Sequence, residues 1–452
     1  MEAGRYTTAN DGVWVGKSAG STGAGGGQSV IIGNYAGRYI VGSQVVHVGR
    51  FAGYYATGSY NTFVGSDAGK GGTTSAPYSS GTSNVAMGYQ ALAGFTTGFG
   101  NVAVGASSLD AVNSGNYNVA LGSSAGGALT TASNTIAIGY ATYDAATTAG
   151  YTIAIGGLTL SAYNHAENSY NVAIGYSVAS VKTSGRFNTY IGGYLNAAAD
   201  LTGEKNVWIG SYANQYGTDT DSTTLVGYEA GRYSTGSYNT FVGSSAGVGG
   251  QTSAPFSSGE YNVAMGYQAL TAFTTGNNNT VVGYQAGDAI TTGTDNVIIG
   301  KDAAASAVAG TNQIIIGKDA TGAGDNIAVI GNTSITGVYA AQDGEATVYA
   351  GGLVLEGATA DAYETTLGLV DPTADRTINL PNQSGTLPVL AVASTTAITS
   401  TPEELNILDG ITSTTAELNI LDGSATTQSS VTLASGDGII ISDASDSETM
   451  KQ

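Results

Sequence analysis

The chain has no cysteine, six prolines, two histidines and few charges, which make up 10% of its 452 residues against ~25% in an average protein. Without cysteine there is no disulfide framework and no thiolate-held zinc or iron–sulfur centre. His47 and His165 are too few for a histidine-rich metal site or for most hydrolase machinery. Cations are scarce: 13 Lys and Arg face 33 Asp and Glu, a net charge of −20. That balance argues against a surface built for nucleic-acid phosphates. No apolar run approaches the ~18 residues of a membrane-spanning helix. The first ten residues hold no apolar stretch, which predicts no signal peptide. Little proline and no glycine at every third residue exclude collagen. A hydrophobic share of 42% argues against disorder.

Glycine is what the chain has in excess, 69 residues, and its placement is periodic. A short strand ending in Gly recurs nineteen times, at Gly16, Gly33, Gly49, Gly65, Gly88, Gly105, Gly122, Gly139, Gly156, Gly175, Gly192, Gly210, Gly227, Gly243, Gly266, Gly283, Gly300, Gly317 and Gly331. The commonest spacing is 17 residues, with a range of 14 to 23. Numbering each coil from this Gly as position 0, −1 is always aliphatic or Met and −3 is Val, Ile, Thr or Ala. A second Gly stands at −7 in fourteen coils. Asn stands at −4 in eleven: Asn61, Asn84, Asn101, Asn118, Asn171, Asn188, Asn206, Asn239, Asn262, Asn279 and Asn296. Such a period predicts a parallel β-solenoid or β-roll of ~17-residue coils. Glycine would serve the corners, where φ is positive. Stacked Asn side chains would form a hydrogen-bonded ladder.

Side chains alternate along a strand, so −3 and −1 share one face, expected to be the core of the coil. Position −2 is then expected to face out. Yet it is apolar too, in Trp14, Phe63, Ala103, Ala120, Ala137, Ala154, Tyr190, Trp208, Leu225, Phe241, Ile298 and Ile315. A strand apolar on both faces is buried on both. The −2 residues are therefore expected to form an interchain seam, most simply in a parallel homotrimer.

A larger duplication overlies the coils. Residues 57–105 return at 235–283, shifted by 178. Each copy contains a 23-residue coil whose extra residues are expected to bulge as a loop. Three regions are expected: a solenoid over 1–332, a β-rich module over 333–398, and a stalk with a terminal strand segment over 399–452. The stalk holds the tandem Glu404-Leu-Asn-Ile-Leu-Asp-Gly410 and Glu417-Leu-Asn-Ile-Leu-Asp-Gly423. Each is preceded by a capping-box pattern, which predicts two short helical turns. The fold class expected is thus all-β, a trimeric solenoid followed by a mixed β and short-helix segment.

The Asn-Val-Ala-Ile-Gly strand resembles the repeat of trimeric autotransporter adhesin heads. The unit at 276–287, Gly-Asn-Asn-Asn-Thr-Val-Val-Gly-Tyr-Gln-Ala-Gly, more closely resembles repeats in fibre-like proteins of tailed bacteriophages. Segments 356–367 and 371–381 are similar to phage fibre modules, and the Leu-Asn-Ile-Leu-Asp-Gly tandem resembles a repeat of marine-phage tail fibres. The resemblance implies a non-enzymatic virion fibre, outside the cell. Its partners would be copies of itself, other tail or baseplate proteins, and a host surface glycan or protein.

No enzyme motif, cofactor motif or metal motif stands out. Gly23-Ala-Gly-Gly-Gly27 lacks the Lys-Ser/Thr of a phosphate loop. Asp302 and Asp319 occupy one coil position, as paired carboxylates of a glycan-cleaving site would, but Lys301 and Lys318 beside them favour a solvated charge ladder. Asp219 and Asp221 favour a polar turn over a cation site. Tyr78 and Phe256, equivalent in the two bulged loops, are the candidate ligand contacts, since an exposed aromatic ring can stack on a sugar. The alternative readings are a bacterial trimeric surface adhesin, a subunit of a cellular extracellular filament, and a polysaccharide depolymerase.

Overall fold

A computed structural model of the chain describes residues 11–193 except 24 and 26, residues 202–338, and the backbone of two strands farther on. The chain divides into two units, Met1–Val348 and Tyr349–Gln452. The first is a parallel β-solenoid. Its nineteen strands run from β1 (Val13–Val15) to β19 (Ala328–Ile330), three residues each, one per coil. They form a single sheet in strict sequence order, each pairing in register with the next. At ~4.8 Å per strand, the stack is about 85 Å long. No helix occurs among the described residues.

Each coil closes because the backbone enters the left-handed region several times. In the coil around Gly105, Gly100 (φ 66°), Gly105 (131°), Ser107 (54°) and Leu109 (50°) all have positive φ. A Cβ on Gly105 would also run into the carbonyl of Gly122 in the next coil. Glycine at position 0 is thus required twice over. The glycine at −7 has a different cause from the corner expected. A Cβ on Gly98 would lie 2.6 Å from the Gly115 carbonyl oxygen, so close coil stacking selects it.

The structure inverts the expected faces. Phe63, Ala103, Ala120, Ala137, Ala154, Tyr190, Trp208, Leu225, Phe241, Ile298 and Ile315 are all fully or almost fully buried inside their own coils, and Trp14 is partly buried against the same core. They line the interior of one protomer and are no interchain seam. The reason is volume pairing across the coil between −2 and +4. Phe63 faces Gly69 and Phe241 faces Gly247, where an added Cβ would collide with the ring. Where −2 shrinks to Ala, at Ala86, Ala103, Ala154 and Ala264, position +4 grows to Leu92, Leu109, Leu160 and Leu270, all buried; Ala120 and Ala173 instead meet Gly126 and Ala179, and buried Leu129 at +7 and Val178 at +3 supply the bulk there. One large and one small residue fill a narrow interior at native density. Buried residues at +3 and +7, such as Ala91 and Phe95, complete it.

The asparagine ladder is present as expected. All eleven Asn side chains are fully buried. Each Oδ1 accepts the backbone N–H at −4 of the following coil, from another Asn in Asn61 to Asn84 (2.9 Å), Asn84 to Asn101 (2.9 Å) and Asn101 to Asn118 (3.0 Å), and from Thr135, Thr223 and Gln313 where the run of Asn is interrupted. Each Nδ2 donates to a carbonyl at −7 of the following coil, as from Asn101 to Gly115 (2.9 Å) and from Asn279 to Gly293 (2.9 Å). Buried backbone groups that the turn leaves without partners are satisfied in this way.

In the second unit, β20 (Gly352–Glu356) pairs antiparallel with β21 (Glu364–Gly368). The Leu-Asn-Ile-Leu-Asp-Gly tandem, its predicted helical turns and the rest of 369–452 lie outside the described residues.

Candidate functional site

With −2 turned inward, −3 and −1 point out of the coil. They carry no charged residue in any of the nineteen strands. Val15, Met87, Leu121, Met265, Ile299 and Ile316 are exposed there, and the remaining positions are mostly half-buried. Two rows of aromatics flank this stripe. At −5 stand Tyr60, Tyr117, Tyr151, Tyr170, Phe187, Tyr238 and Tyr261, and at +1 stand Tyr89, Tyr140, Tyr176, Tyr228, Tyr267 and Tyr284, all exposed. Their rings stack from coil to coil, as in Tyr170–Phe187 (5.4 Å) and Tyr267–Tyr284 (5.3 Å). The expectation that both strand faces are apolar holds, and the bare one is the other one.

Tyr78 and Phe256 fold back from the bulged loops onto the rod. Tyr78 lies 4.6 Å from the Tyr39 ring and 5.7 Å from that of Tyr55, which stack on each other at 5.5 Å. Phe256 repeats this on Tyr216 (5.4 Å) and Tyr233 (6.0 Å). Both are half-buried, so each loop closes an aromatic triad and keeps part of it open to solvent. The sequence showed the loop aromatics but not their companions, which stand at +6 of two preceding coils.

The carboxylates expected to be structural are so placed. Lys301 pairs with Asp302, and Lys318 with Asp319 at 3.1 Å. Asp219 and Asp221 accept backbone N–H bonds from Thr202 (2.8 Å) and Glu204 (2.7 Å) in the preceding coil. A further pair escaped the sequence reading. Asp110 and Asp144 stand at +5 in coils two apart, and the space left by Gly127 between them admits both carboxylates. Burial raises the pKa of each above the usual carboxylate range. The Gly127 N–H bonds Asp144, which ties that coil to the preceding one, while Ser107 and the N–H groups of Asp110 and Ala111 bond Asp110, which closes its own turn. Among the described residues no cluster of His, Asp or Glu is arranged to hold a metal ion. No helix among them is long and apolar enough to cross a membrane.

No protein-family model matches the chain, and no curated protein matches it.

Proposed function

We propose that the protein is a non-enzymatic structural fibre, a parallel homotrimer that extends from a phage particle and helps make contact with a host surface. The observation that carries this reading is the bare aliphatic stripe at −3 and −1. From the −5 aromatics to the +1 tyrosines it spans about 20 Å, which over the rod length gives about 1,700 Å². That is about twice the ~800 Å² each partner contributes to a standard interface. Its −3 and −1 positions carry no charge, and the charged residues stand only in the edge rows, Lys17, Arg50, Lys301 and Lys318 at +1 and Asp11, Lys205 and Asp295 at −5; an uncharged strip of that length needs covering. A second copy fits it best, because only another solenoid repeats at the same step. The −5 row lies on one edge of the stripe and the +1 row on the other. Meeting of unlike edges is a head-to-tail contact, whose smallest closed ring is a trimer.

Sedimentation equilibrium of the purified chain tests the reading. The expected mass is three times the 45.0 kDa of one chain. Asp at −1 in two adjacent coils, Ile138→Asp with Ile155→Asp, is expected to abolish the trimer. A soluble, folded, monomeric wild-type chain would overturn the proposal. Immunogold labelling of tailed-phage particles with an antibody against 57–105 tests the virion setting.

A further inference from the structure

The acidic balance of the chain is not uniform along the rod. Four of its thirteen Lys and Arg, namely Lys17, Arg38, Arg50 and Lys70, meet on the turns of the first four coils. They lie among aromatic rings. Arg38 sits 5.4 Å from the ring centroids of both Tyr35 and Tyr39 and 5.8 Å from that of Tyr54. Arg50 lies 5.1 Å and Lys70 5.8 Å from the centroid of Phe51. The Tyr39–Tyr55–Tyr78 triad continues the same surface through Tyr54, 4.5 Å from Tyr55. Among the described residues the one acid paired within the patch is Asp67, 3.8 Å from Arg50 and 3.2 Å from Lys70. Asp67 is nearly buried, while the side chains of Arg50 and Lys70 are 62% and 42% exposed. In the single chain the solvent therefore meets Arg50, Lys70 and the open sides of the half-buried rings, while half-buried Arg38 donates from Nη1 to the Tyr54 hydroxyl (2.9 Å); Arg50 stands at +1, at the rim of the stripe that the proposed trimer covers.

The duplication supplies an internal comparison. The shift of 178 puts Tyr233 at Tyr55 and Phe256 at Tyr78, so the aromatic triad is kept. The cations are not. Arg50 becomes Tyr228, Asp67 becomes Ser245 and Lys70 becomes Val248, while the coil position of Arg38 holds Gln215. The one cation there, Arg232, is paired with Glu229 and bonded to Gln215. Phe51 and Tyr54 also change, to Glu229 and Arg232, so the second copy keeps the triad rings and does without the first copy's cations.

We infer that the N-terminal patch binds an anionic saccharide. The partly open rings of the triad would receive a pyranose face, and Arg38, Arg50 and Lys70 would meet its carboxylate, sulfate or phosphate. The inference deepens the fibre reading by naming the surface chemistry the rod would engage, and rests on it only for that setting.

Titration calorimetry on the full chain at low salt tests it, with tetragalacturonate and a heparin tetrasaccharide as carboxylate and sulfate probes. Maltotetraose is the neutral comparator and octathymidylate the nucleic-acid one. At least one anionic saccharide is expected to bind ten-fold or more tighter than maltotetraose, and to weaken with salt. The exchange variant Arg38→Gln, Arg50→Tyr, Asp67→Ser, Lys70→Val installs side chains that the second copy already folds with. It is expected to lose ten-fold or more in affinity with its circular dichroism unchanged. Absence of binding, equal binding of maltotetraose, unchanged affinity in that variant, or tighter binding of octathymidylate would each overturn the inference. Mass measured on the same samples keeps the two readings apart: a monomer that binds sinks the fibre alone, and a trimer that does not bind sinks the patch alone.

Discussion

At the scale of the residue, the interior tolerates polarity only where it is bonded. His47 is the largest of a few exceptions, which include the Thr135 and Ser234 hydroxyls. It fills a −2 position, fully buried, stacked on Phe63 at 4.9 Å. Neither ring nitrogen has a hydrogen-bond partner among the described residues. Burial lowers its pKa from the ordinary 6.5 to about 3. The unfolded chain takes up this proton near pH 6.5 and the folded chain only near pH 3, so stability is lost as pH falls through that window and is unaffected above it. At pH 5 the loss is about 2 kcal/mol. His47→Phe, which copies Phe63 and Phe241 over a Gly at +4, is expected to remove this component. Calorimetric melting of both proteins at pH 7, 5 and 4 checks it, the gap between them widening toward acid.

The ladder asparagines make the opposite case, since each is bonded on both sides. Asn118→Ala strips partners from the Thr135 N–H and the Ala132 carbonyl. Each buried group left unmet costs about 1–3 kcal/mol. Denaturant unfolding is expected to show a loss of about 2–5 kcal/mol. Half-buried Asn116→Ala, which gives up only its side-chain bond to the Phe99 N–H, is expected to lose under about 1 kcal/mol.

At the scale of the coil, the period, the strands, the ladder and the bulged loops were all legible in the sequence. Which strand face looks inward was misread. Both faces are apolar, so alternation alone could not decide between −2 and the −3/−1 pair. The deciding signal was there in the pairing of Phe63 with Gly69 and of Ala86 with Leu92, because only residues that share an interior compensate in size. The left-handed residues at +2 and +4 were hidden by their chemistry: Phe51, Leu92 and Leu109 are poor advertisements for positive φ. The triads at Tyr78 and Phe256 were half legible, since the companion rings lie one and two coils away. Size pairing has a direct test. Phe63→Ala is expected to cost about 3–5 kcal/mol. Adding Gly69→Leu, which recreates the Ala86–Leu92 arrangement at nearly the same φ (52° against 51°), is expected to recover more than half of that. Urea unfolding of the two single variants and the double variant gives the coupling.

At the scale of the whole rod, each strand of the solenoid contacts only the strands before and after it, so stability is close to a sum over coils and their junctions. The duplicated block illustrates what that permits. From β4 (Thr62–Val64) to β14 (Thr240–Val242) its copy advances ten strands, a whole number of turns, so every side chain in the second copy keeps the azimuth it had in the first. In the proposed trimer, an insertion ending part-way round a coil would swing all later strands away from the face that partner chains would cover, and would leave one molecule with two seams on different sides. On that proposal the rod changes length only in integral steps of about 5 Å, and copies of other sizes would fail at assembly rather than at folding.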